Sequence, residues 1–114
     1  FSSFGRQAKN QQAKIAFDQA KTQLTEAGQM LRLRYQSAKS DYEFSIEEYA
    51  TSKSNLSLAE RIESKQQIKF QEGLSTSFEF SEAQRQLYAA QQSYLQSMIN
   101  VINKKTALDK IANK

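Results

Sequence analysis

Cysteine, histidine, tryptophan and proline are all absent, and glycine occurs only at Gly5, Gly28 and Gly73. Without thiols or imidazoles, the chain lacks the side chains that most often bind transition metals, attack carbonyls or shuttle protons near neutral pH. Most metal and catalytic functions are thereby set aside, and no cofactor is expected. The lack of cysteine says nothing of compartment, because cysteine usage reports one only where cysteines are present. No apolar run approaches the roughly 18 residues that a membrane-spanning helix needs. The opening Phe1-Ser2-Ser3-Phe4 carries neither an initiator methionine nor a basic and apolar leader, which suggests a segment of a longer protein. Apolar residues make up 39% of the 114 positions and mean hydropathy is −0.73, so the chain has little material for a compact core. An elongated shape is expected.

The scarcity of proline and glycine leaves one strong break, Glu72-Gly73-Leu74-Ser75-Thr76, between two long runs of good helix formers. The sequence therefore predicts an all-α fold, a long antiparallel coiled-coil hairpin over 1–114: a helix over about 6–71, a turn at 72–76 and a helix over about 77–112. At about 1.5 Å per residue the arms would measure roughly 100 Å and roughly 50 Å, making the hairpin lopsided.

Spacing supports this reading. Ala13, Phe17, Ala20, Leu24, Ala27 and Leu31 alternate steps of four and three, the seam of a coiled coil. After one extra step of four the series resumes as Tyr35, Ala38, Tyr42, Ser45, Tyr49, Ser52, Leu56 and Ala59, so a single stutter is expected near Leu31. The second arm reads Phe80, Ala83, Leu87, Ala90, Tyr94, Ser97 and Val101, with Leu108 beyond a weak point at Lys104. An apolar stripe alone would mark any amphipathic helix. Here large and small residues alternate in both arms, which lets two backbones approach closely while the large side chains interdigitate. The shorter arm covers only the half of the first arm nearest Gly73, leaving Ala13 to Leu31 without a partner in this chain. Apolar residues off the seam, among them Phe44, Leu58, Ile62, Tyr88, Leu95 and Ile102, suit a helix in a curved wall with neighbours on two sides.

At the turn, Thr76-Ser77-Phe78-Glu79 fits a capping box. Thr76 would accept from the Glu79 amide while the Glu79 carboxylate reaches back to Thr76, and Gly73 would supply the left-handed stop of the first arm. Glu82 lies one turn beyond Glu79 on the same face. Charge is segregated: residues 1–40 carry seven basic and two acidic groups, 41–82 four and nine, and 83–114 five and one. An acidic turn half between basic ends argues against a nucleic-acid surface, which would gather Lys and Arg on one continuous face. It predicts an electronegative tip attractive to cations or a basic protein partner.

The run Phe70-Gln71-Glu72-Gly73-Leu74-Ser75-Thr76-Ser77-Phe78-Glu79-Phe80-Ser81-Glu82-Ala83-Gln84-Arg85-Gln86-Leu87 resembles the distal turn of the TolC-like outer membrane efflux proteins. Leu87-Tyr88-Ala89-Ala90-Gln91-Gln92-Ser93-Tyr94-Leu95 resembles that family's returning helix, and Phe1 to Arg6 the exit from its last barrel strand. The resemblance implies a homotrimer with a barrel in the cell outer membrane and a helical tunnel through the periplasm, docked on a periplasmic adaptor protein and an inner membrane transporter. This segment would be periplasmic and would touch the membrane only through the barrel. Gly73, Leu74, Ser75 and Thr76 would form the adaptor-docking tip. Glu79 and Glu82 would stand where some members carry acidic residues around the constricted tunnel entrance. The chain departs from the family in having Glu72 where an apolar residue is more common, Phe80 where Leu is common and Phe70 where Tyr is common.

Two other classes fit a long hairpin: the coiled coil of a periplasmic adaptor, which lipoyl-like β segments would flank, and a scaffold without a transport role. An enzyme fits least. Glu79 and Glu82 lie at an exposed break with no enclosing fold to hold a substrate or perturb their acidity.

Overall fold

The computed structural model describes residues 2–113. It is all-α, a helical hairpin of two helices, α1 (Ser2–Gln71) and α2 (Ser77–Ala112), joined by the turn at 72–76. α1 begins at Ser2, earlier than the expected start near Arg6, because nothing in Ser2 to Arg6 stops a helix: there is no proline, and a strand would need a neighbour to pair with. The expected strand exit is thus helix over residues 2–6, and Phe1 lies outside the described residues.

The chain divides into two compact units, Phe1–Ser37 and Ala38–Lys114. In the first, every described side chain from Ser3 to Ser37 is exposed. Phe17 is 68% and Leu24 75% accessible, so the 4-3 stripe of this unit meets no protein atoms capable of burying it. Thr22 and Thr25 turn their hydroxyls back to the carbonyls of Asp18 (2.9 Å) and Lys21 (3.0 Å), which satisfies them locally without any tertiary partner.

In the second unit the protected positions follow the seam. Along α1, Ala38, Tyr42, Ser45, Tyr49, Ser52, Leu56 and Ala59 are buried or half-buried, and the series runs on through Glu63 and Gln66. Along α2 the matching set is Phe80, Ala83, Leu87, Ala90, Tyr94, Ser97, Val101 and Leu108. Tyr35, the first member expected after the stutter, stays exposed, and the protected seam starts one step later at Ala38. Lys104 interrupts the α2 seam as an exposed residue. Its neighbour Lys105 instead places its ammonium 5.9 Å from the centroid of the Tyr42 ring.

The most buried of the described residues are small: Ser45, Ala83 and Ser97. They lie on the seam, and the larger seam residues flank them at intermediate exposure. This is the expected result of alternating sizes on a two-helix seam, where only a short side chain can be enclosed by one opposing helix.

Candidate functional site

Two places in the second unit gather polar chemistry, the turn and the middle of the seam. The turn is built by its own backbone. Leu74 N–H donates to the Lys69 carbonyl (2.8 Å) and Gly73 N–H to the Phe70 carbonyl (3.1 Å), the paired bonds of a Schellman stop, with Gly73 at φ +77°. An L side chain strains that backbone, so glycine is required by conformation; a Cβ there would meet nothing within 4 Å. Phe70 and Phe80 stack beneath the turn with ring centroids 5.4 Å apart, joining the last turn of α1 to the first of α2.

Thr76 caps α2: its hydroxyl accepts from the Glu79 backbone amide at 3.1 Å, with extended backbone at the cap. The other half of the expected box does not form. The Glu79 carboxylate accepts instead from the Ser75 hydroxyl at 2.8 Å. The Ser75 hydroxyl hydrogen makes a charge-assisted bond to that carboxylate. Ser75 also lies 2.8 Å from the Gln66 side-chain amide. A hydroxyl has one hydrogen; with Glu79 taking it, the Gln66 amide serves Ser75 best by turning its NH2 toward it. Ser75 therefore ties α1 to the start of α2, a role that the sequence pattern does not display.

Glu82 is half-buried and gripped by Arg85 one turn on, Nε donating to Oε2 at 3.2 Å and Nη2 to Oε1. The Arg85 hydrogen bond holds the Glu82 carboxyl below its usual range and raises the guanidinium in return. Glu79 and Glu82 thus share one face beside Ile62 and Gln66, but each has its own partner, Ser75 for one and Arg85 for the other. Leu74 and Phe78 project from the tip at 73% and 76% exposure, apolar groups set among the carboxylates of Glu72, Glu79 and Glu82. Of the expected tip residues, Gly73 and Thr76 hold the turn, Ser75 bridges it, and Leu74 is its free apolar surface.

In mid-seam, the Tyr49 and Tyr94 hydroxyls lie 3.0 Å apart and their rings meet edge to face, centroids 5.4 Å apart at 70°. One turn along, Ser52 and Ser97 approach to 2.6 Å. Each serine also faces a carbonyl of its own helix, Ser52 that of Tyr49 at 3.0 Å and Ser97 that of Tyr94 at 2.7 Å. Three close contacts share two hydroxyl hydrogens, so the shortest set has Ser52 donating to Ser97 and Ser97 donating to the Tyr94 carbonyl. The bond to Tyr49, with burial second, raises the Tyr94 phenol above its usual range, since ionisation loses a donor. These four residues were legible as seam members; their mutual hydrogen bonding was not, although polar residues at seam positions are the signal that could have shown it.

Among the described residues no set of three or more His, Cys, Asp or Glu side chains is placed to hold a metal, and no helix is long and apolar enough to cross a membrane. Comparison with protein-family models, curated proteins and solved structures finds no match to this chain.

Proposed function

We propose that this hairpin is a wall segment of the periplasmic tunnel of a TolC-like trimeric outer membrane efflux channel, working with an adaptor protein and an inner membrane transporter. The observation that carries the proposal is the tip. A turn capped on both sides presents Leu74 and Phe78 among three carboxylates, on a hairpin whose flanks expose more large apolar side chains than its seam buries. A scaffold hairpin needs neither the apolar tip nor the second set of apolar flanks. The sequence resemblance around Gly73 supplies the family, and the exposed flanks supply the reason why such a hairpin would need further helices around it.

On this reading the Leu74 tip inserts into an adaptor, and Glu79 and Glu82 from three copies surround an aperture whose field favours cations. Opening is then a shift of the hairpin between discrete packings, biased by the adaptor's contacts with the open form. The reading is tested by Leu74→Asp in the full protein. Export is expected to fall at least tenfold with trimer and helix content retained, because a charge replaces the apolar group at the contact. Unchanged export would contradict docking through this tip.

A further inference from the structure

The middle of the seam is written twice on α1 and once on α2. Tyr42-Glu43-Phe44-Ser45 and Tyr49-Ala50-Thr51-Ser52 put a tyrosine and, three residues on, a serine at successive heptads of α1, and Tyr94-Leu95-Gln96-Ser97 puts the same pair on α2. The α2 pair meets the second of these, Tyr94 reaching Tyr49 and Ser97 reaching Ser52. The first has the same local geometry with different neighbours. Ser45, 3% exposed, donates to the Tyr42 carbonyl at 2.6 Å, as Ser52 faces that of Tyr49 at 3.0 Å, and Lys105 lies over the Tyr42 ring. Each of these serines has an acceptor on its own helix, Ser97 included, so none is stranded when the residue across the seam changes.

The same contacts set the antiparallel register. Counting from them toward the turn, Ala90 comes level with Leu56 and Leu87 with Ala59, large against small. Beyond that the match fails: Ala83 comes level with Glu63, and Phe80 with Gln66, both polar and both half-buried. Moving α2 by one heptad away from the turn, about 10.5 Å, returns every side chain to the same face. Tyr94 and Ser97 then meet Tyr42 and Ser45. Ala90 meets Tyr49 and Leu87 meets Ser52, so large still faces small, while Ala83 and Phe80 leave the two polar residues for Leu56 and Ala59.

We infer that the seam has two registers one heptad apart, and that the turn is the latch that holds the observed one. The shift breaks what joins the turn to both arms: the Phe70–Phe80 stack, the Ser75 bridge between Gln66 and Glu79, and the Schellman bonds at Gly73. The Thr76 cap lies within the start of α2 and travels with it. The link is long enough. With α1 kept helical to Gln71, the shifted Ser77 lies roughly 16 Å from Gln71, given helix axes about 9 Å apart, and six residue steps reach roughly 20 Å. The second register therefore trades the bonds of the turn for an apolar closure of the seam, and anything that binds the straightened turn favours it. The inference goes beyond the export reading and holds without it.

The native absence of cysteine permits a direct test within the full chain. Ser52→Cys with Ser97→Cys reports the observed register, since those side chains already touch. Ser45→Cys with Ser97→Cys reports the second, and Ala59→Cys with Ser97→Cys is the control, equally far from contact on the turn side. Under mild oxidation the first pair is expected to close fully within one chain. The Ser45 pair is expected to close several times faster than the Ala59 pair, because a heptad shift away from the turn has a seam to fit and a shift toward it does not, whereas simple parting of the helices would serve both alike. Phe70→Ala with Ser75→Ala, which touch only the latch, are expected to speed the Ser45 pair several-fold again and leave the Ala59 pair unchanged, with helix content retained. Closure of the Ser45 pair no faster than the Ala59 pair in the otherwise native chain would overturn the inference, and so would equal acceleration of both pairs by the latch substitutions. Neither result bears on pore formation, by which the channel reading stands or falls separately.

Discussion

Tyr94→Phe removes one hydroxyl from the middle of the seam and leaves the ring. The edge-to-face contact with Tyr49 is preserved, so the change isolates the bond between hydroxyls 3.0 Å apart. A neutral hydrogen bond contributes about 0.5–1.5 kcal/mol net, and these tyrosines are only half-buried, so water can partly replace the lost partner. The expected loss is therefore about 0.5–1 kcal/mol, near the lower end of that range. Tyr49→Phe is expected to cost the same. The double variant is expected to cost little more than either single change, since the second removes a hydroxyl that has already lost its partner, giving a coupling energy of about 0.5–1 kcal/mol. Urea unfolding of the four proteins, followed by circular dichroism, measures this, with the midpoint moving and the slope unchanged. Single costs that simply add would refute a shared bond, and single costs below about 0.2 kcal/mol would show that the pair contributes nothing to stability.

Gly73→Ala places a Cβ on backbone at φ +77° and is expected to destabilise the hairpin by about 1–2 kcal/mol in the same assay, although no atom stands in its way. Ala83→Leu overfills a seam position that is 5% exposed and is expected to cost about 1–3 kcal/mol, while Ala89→Leu, on the exposed surface of the same helix, is expected to change stability by less than about 0.5 kcal/mol. Stability is also expected to fall in alkali. Tyr94 and Lys105 both have raised pKa values, the first chiefly through the Tyr49 bond and the second chiefly through the Asp109 bond. Their contributions are present below the ordinary values of about 10 and 10.4 and are lost as pH rises through the raised ones, so thermal melts from pH 9 to 12 should show a falling midpoint. Tyr94→Phe with Lys105→Met should flatten that fall, and an unchanged profile would show that neither group supplies it.

The seam was legible because the alternation of four and three needs no knowledge of the partner: Ala38 to Ala59 and Phe80 to Val101 carry it on their own. The turn was legible for a similar reason, since Gly73 and Thr76 act through bonds to residues within five positions. The destination of the Glu79 carboxylate is not legible in the sequence, because Ser75 and the Thr76 amide compete for it locally and only the turn's geometry decides between them. α1 starts earlier than the pattern predicts because residues 2–6 contain no proline, and a helix continues where nothing ends it. The hydroxyl contacts of Tyr49 with Tyr94 and Ser52 with Ser97 depend on register. A size pattern that repeats every heptad fits several registers equally, so spacing alone could not pair those residues.

Planar-bilayer conductance of the protein that carries this hairpin tests the central functional claim most directly. Wild type should form discrete pores that are cation-selective and blocked by divalent cations, and Glu79→Gln with Glu82→Gln should relieve that block. The absence of pores from well-folded protein would contradict the channel, and pores whose block survives the double substitution would contradict an entrance ringed by these two carboxylates.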